Sequence, residues 1–103
     1  MKNISNNPEP VVIPNLREQL RRAEIRKQIT ITDSNKGTIY ILCPANLSHD
    51  LYQHFSHKNI ESTFPKRAID GKNPDDELIV VTATLDRGKT EVEEFVSKLE
   101  FPN

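Results

Sequence analysis

The run Ile39-Tyr40-Ile41-Leu42-Cys43 is apolar at every position. An extended chain points successive side chains to opposite faces, so such a run has no polar side to offer to water. It fits a strand covered on both faces. Residues 77–85 hold a second run of this kind, with Leu78 and Val80 on one side and Ile79, Val81 and Ala83 on the other. Two fully apolar strands need flanking strands, and two alternating segments can supply them. Residues 28–33 place Ile29 and Ile31 inward and Thr30 and Thr32 outward. Residues 60–64 place Ile60, Ser62 and Phe64 toward the core and end at Pro65. Half-buried strands belong at sheet edges, where a proline is tolerated.

Three segments carry helical periodicity. In residues 15–27 Leu16, Leu20, Ala23 and Lys27 form one row with Ile25 beside it, a narrow stripe, and Asn15 stands in capping position with Glu18 three residues on. In residues 46–58 Leu47, Leu51, Tyr52 and Phe55 define a core face, with Asn46 as the cap. In residues 90–99 Val92, Phe95, Val96 and Leu99 share a stripe, and Thr90 to Glu93 has capping-box spacing. Asp33-Ser34-Asn35-Lys36-Gly37 reads as the turn of a hairpin, with Gly37 left-handed. Residues 65–76 form a long connection.

The order is therefore one helix, then strand-strand-helix twice. With both hairpins kept, the apolar strands central and the second helix crossing over one strand, the spatial order is 1-2-4-3, antiparallel between neighbours. The predicted class is α+β: a four-stranded antiparallel sheet with two or three helices, ferredoxin-like in character. Residues 1–14, with three prolines and four asparagine or serine residues, read as a flexible arm. Residues 15–103 make a single domain, as a chain of 103 residues leads one to expect.

Charge narrows the partner classes. The net charge is −1, which speaks against generic binding to nucleic acid or membrane. Up to Ala68 there are ten Lys/Arg against six Asp/Glu; from Ile69 on there are four against nine, the pattern either of a basic face for an acidic partner or of two halves that attract each other on folding. A lone cysteine makes no internal disulfide, and no stretch has the length and hydropathy of a membrane span or secretory signal. The expectation is a cytoplasmic protein.

Cys43, His49, His54 and His57 lie close in sequence and offer ligands suited to zinc or copper. At about 100° per residue they scatter around a helix, and only His54 and His57 share a side. They are weak metal candidates, half a site at most, and no cofactor is expected. Cys43 precedes a helix, whose dipole lowers a thiol's pKa, yet shares the inward face of Ile39 and Ile41. No glycine-rich phosphate cradle or catalytic triad order is present, so no catalytic residue is assigned.

What remains points to interaction without catalysis. Val11, Val12 and Ile13 form an apolar patch between prolines, and Arg17, Arg21, Arg22 and Arg26 load a thinly apolar helix with positive charge. These residues, with Lys66 and Arg67 of the long connection, are the predicted partner-binding set. The leading reading is a small protein-interaction or regulatory module that binds a protein or a second copy of itself. The alternatives are nucleic-acid binding through the basic helix and residues 65–72, and a metal or thiol site at Cys43 and the histidines.

Overall fold

The computed structural model describes residues 15–69 and 73–101. Its elements are α1 (Leu16–Gln28), β1 (Thr30–Asp33), β2 (Ile39–Pro44), α2 (Ala45–His57), β3 (Lys66–Arg67), β4 (Asp76–Val81) and α3 (Leu85–Ser97). The strands form one sheet in the order β1-β2-β4-β3, antiparallel between neighbours, in agreement with the predicted topology. The α+β class holds, with three helices among the described residues. No helix among the described residues is long and apolar enough to cross a membrane. Val11, Val12 and Ile13, and the proposed arm they belong to, lie outside the described residues.

The β1–β2 hairpin closes through local polar chemistry. Asp33 accepts a hydrogen bond from the Asn35 amide (3.0 Å), Ser34 Oγ bonds Thr38 O (2.7 Å), and Asn35 and Gly37 take positive φ. Pairing sets Ile41 between Ile31 and Ile79, and Ile39 opposite Val81. Ile39, Ile41, Cys43, Ile79 and Val81 are buried under α2, which brings Leu47, Leu51 and Phe55, and α3, which brings Val92, Phe95 and Val96. α2 lies over β4 and β2, while α3 lies over β1.

Among the described residues the helices occupy one side, and this corrects the expectation that β2 and β4 are covered on both. Side chains of opposite phase make the other face: Tyr40 is 41% exposed, and Leu42, Leu78 and Val80 are half-buried. Their apolar character is explained by close cross-strand neighbours on that face.

The starts of α3 and α2 also differ. α3 begins at Leu85 with Thr84 as its cap, the Thr84 hydroxyl accepting from the Arg87 amide at 3.1 Å; Thr90 lies inside the helix. Gly88, which resembles a turn residue in sequence, is in the first turns of α3, and a Cβ there would overlap Ile39 Cδ1. The glycine lets α3 approach β2. α2 begins at Ala45 after Pro44, so Asn46 is its second residue and not its cap. α2 ends in a left-handed Asn59 (φ 59°), with the Ile60 amide bonding Phe55 O (2.9 Å) and the Asn59 amide bonding Ser56 O (3.0 Å), a Schellman arrangement.

The edge strand expected at residues 60–64 is a single bridge, Ser62 to Val81; regular pairing resumes beyond Pro65 as β3. A proline cannot donate to the ladder, which accounts for the break. Phe64 does not face the core. It is 57% exposed and packs edge-on against His49 (5.0 Å) and Tyr52 (5.4 Å) on the outside of α2.

Candidate functional site

α1 is attached to the domain by an unusual means. None of its residues is buried. Its amino acids explain why: between Leu16, Leu20, Ala23 and Ile25 stand charged side chains, and only Ile25 packs against the core. The grip comes from arginine. Arg22 Nε donates to Val96 O (3.1 Å), in the last turn of α3, and Nη2 to Leu99 O (2.7 Å), just beyond the helix; a cation is favoured at a helix C-terminus. Arg26 Nε donates to both carboxylate oxygens of Glu93, at 2.8 and 3.1 Å. The guanidinium groups of Arg21 and Arg22 lie 5.5 and 5.2 Å from the centre of the Phe101 ring.

Docked this way, α1 leaves its leucines outside. Leu16 is 45% and Leu20 60% exposed. Leu20, Ile25 and Phe101 floor an open groove of about 420 Å³, rimmed by Arg17, Arg21 and Glu24. Apolar side chains held together at the surface by a rigid scaffold mark an interaction site more often than isolated ones do.

The predicted partner-binding residues are thus divided. Arg22 and Arg26 are engaged in holding α1 to α3, and Arg17 and Arg21 face the groove. Lys66 and Arg67 are exposed on β3, at the far edge of the sheet from β1, on which α3 rests. They do not extend the α1 surface into one basic patch.

A second cluster lies between α2 and α3. His54 Nε2 is 2.9 Å from Glu91 Oε1 and 3.8 Å from Glu94 Oε2. Glu91 also takes Arg87 Nε at 3.0 Å, and Glu94 takes Lys58 Nζ at 2.6 Å and Lys98 Nζ at 3.1 Å. Burial pushes the Glu91 carboxyl up, but hydrogen bonds from His54 and Arg87 and the charge of Lys58 outweigh it and leave it below its ordinary value. Glu94 is held down to about 2 by hydrogen bonds from Lys58 and Lys98.

The ligand atoms of His54, Glu91 and Glu94 lie within 4.8 Å of one another, so the donor set for a metal is present. The charge balance opposes that use. Two carboxylates already meet Lys58, Arg87 and Lys98, and a divalent cation would enter beside an ammonium group. The arrangement works as a polar clamp between two helices. His57 is exposed and outside this cluster, and His49 stacks on Phe64.

Cys43 is fully buried. Its thiol is pushed up to about 12, first by burial and then by the nearby Asp76 and Glu77, against any lowering by the start of α2. Such a thiol is a core filler and a poor nucleophile. In the native protein at about pH 8, a thiol-disulfide reagent is expected to leave Cys43 untouched, with reaction only on unfolding by denaturant. Rapid stoichiometric labelling of the native protein would contradict this placement.

Comparison with protein-family models, with curated proteins and with solved structures found no match.

Proposed function

We propose that this chain is a small non-catalytic interaction module that binds a protein partner, or a second copy of itself, through the outward face of α1. The observation that carries this reading is the groove at Leu20 and Phe101. Among the described residues the buried core is drawn mainly from the sheet, α2 and α3, whereas α1 contributes no buried residue and displays Leu16 and Leu20. Helices that offer apolar anchors one turn apart commonly lie in, or provide, a groove for a partner. A cytoplasmic setting belongs to the same proposal and rests on the lone cysteine and the make-up of the sequence.

Nucleic-acid binding has less behind it. Lys66 and Arg67 are separated from α1, and among the described residues Tyr40 is the one aromatic on the open sheet face, where base stacking would need several.

The test compares the wild type with Leu20→Asp. Because Leu20 is mostly exposed, the substitution is expected to change stability by no more than about 0.5 kcal/mol, measured by urea unfolding. Cross-linking in cells should then give a partner held by the wild type and lost from Leu20→Asp, or light scattering should give a dimer that Leu20→Asp breaks. A monomer whose cross-linked partners are unaffected by Leu20→Asp would remove the proposal.

A further inference from the structure

We propose that the segment seated in the α1 groove is an acidic amphipathic helix of a protein partner, with apolar side chains one turn apart and carboxylates flanking them. This rests on the interaction reading above and adds the chemistry of the ligand. The argument is one of charge left over. Of the five cations on α1, Arg22 bonds the carbonyls of Val96 and Leu99 and lies 3.7 Å from Glu18, Arg26 is paired with Glu93, and Lys27 with Glu24 at 3.4 Å. Arg17 and Arg21 have no ion pair among the described residues, and both rim the groove. The one acidic residue on that rim, Glu24, is already engaged by Lys27.

Among the described residues the groove therefore presents an apolar floor beneath two guanidinium groups without an ion-pair partner. Arg17 and Arg21 are four residues apart, so they stand on one side of α1 about one helical turn from each other. A partner helix with Asp or Glu at the same spacing matches them, and guanidinium groups bind carboxylates through paired hydrogen bonds. Leu20 lies between these arginines along the chain, so an apolar anchor from the partner meets it and the Phe101 ring while its acidic neighbours meet the rim. The groove is open on its outer side, so a small molecule would be covered on one face only, whereas a helix would be supported along its length.

An anionic membrane also attracts arginine and leucine. Here it is disfavoured by shape, since Arg22 and Arg26 hold α1 against α3 and the apolar surface is a concavity between α1 and Phe101. Inserting helices present an apolar ridge that enters the bilayer.

The experiment uses the full chain against a displayed library of random peptides of about 16 residues, and separately against vesicles of phosphatidylcholine with and without phosphatidylserine. Enriched peptides are titrated by fluorescence anisotropy against wild type, Leu20→Asp, Arg17→Glu/Arg21→Glu and Arg17→Lys/Arg21→Lys, each checked for an unchanged melting curve. The expected result is enrichment of peptides with apolar residues at i and i+4 and an excess of Asp and Glu. Leu20→Asp and the double charge reversal should each weaken binding by at least about ten-fold. The lysine pair should lose less, and added salt should weaken the wild-type complex.

Enrichment of basic or neutral peptides, or affinity unmoved by the charge reversal, would overturn the acidic ligand while leaving the groove reading intact, provided Leu20→Asp abolishes binding. No enrichment, or binding indifferent to Leu20→Asp, would overturn both. Binding to phosphatidylserine vesicles that the charge reversal abolishes, with no peptide enriched, would replace the protein ligand by a lipid surface.

Discussion

Phe55→Ala is expected to cost about 4 kcal/mol of folding stability. Phe55 is the largest fully buried side chain among the described residues, on the face of α2 that meets β2 and β4. It stands at the point where α2 stops: its carbonyl receives the Ile60 amide, and Ile60 turns back into the same core. Truncation removes transfer free energy and leaves a cavity that Leu51 and Ile60, fixed by helix and turn, fill only in part. Against a total of about 5–15 kcal/mol for a domain, this leaves little margin. Phe64→Ala is the control. Its ring is mostly exposed on the outside of α2, so the expected loss is below about 1 kcal/mol. Urea unfolding measures both, and similar losses for the two phenylalanines would mean that the core is not where α2 places it.

Glu91→Ala has the second largest expected effect, about 2–3 kcal/mol. The carboxylate is buried between α2 and α3 and receives His54 and Arg87. Removing it strands the His54 imidazole in a nearly buried position, while Arg87, half exposed, returns to water at small cost. Replacing both partners with apolar side chains, as in His54→Leu/Glu91→Leu, is expected to recover most of the loss, because the penalty lies in the orphaned polar group. A loss under about 0.5 kcal/mol for Glu91→Ala would show that the pair does not hold the helices together.

The same clamp gives a pH dependence of definite sign. Glu94 sits at about 2 in the folded protein against an ordinary 4.5, and Glu91 is lowered as well. A carboxyl lowered by folding stabilises fully above its unfolded value and loses that contribution as pH falls through the folded value. Stability should therefore decline from about pH 4.5 toward 2, and Glu94→Gln should flatten that decline. Lys58, raised above 10.5 chiefly by its hydrogen bond to Glu94, acts in the opposite sense. Its contribution is complete below 10.5 and is lost only as pH climbs through the higher folded value.

The strand order was legible in the sequence because two apolar runs and two alternating ones can be arranged in few ways. The inward phase of Cys43 was legible for the same reason, since it follows Ile39 and Ile41 at intervals of two. Phe64 misled because residues 60–64 alternate like a strand, whereas only Ser62 bridges β4 and the inward phase does not carry on to Phe64. The true start of α3 was hidden by Gly88, whose lack of a side chain is required by Ile39, a residue far away in the chain. The His54–Glu91–Glu94 clamp was missed for a related reason. Each group looks like an ordinary helix-boundary residue, and only the packing of α2 on α3 brings them together. A faint signal existed: Glu91 lies one turn before Phe95, on the margin of the apolar stripe, and His54 lies on the corresponding margin of α2. The groove at Leu20 was half legible. The thin stripe of α1 foretold its exposure, whereas the part played by Phe101 came from the fold alone.

The arginine attachment of α1 carries a further consequence for how this chain comes apart. Packed carbon ties an element into the cooperative unfolding of a whole core, whereas two guanidinium anchors and a ring contact tie it mainly to one helix end. α1 is therefore expected to open on its own at a lower cost than the sheet and its two covering helices, with faster amide exchange as the readout. A ligand lying across α1 and Phe101 would bridge the two, raising the cost of local opening toward that of global unfolding, so that binding would be felt as rigidity at the start of the domain.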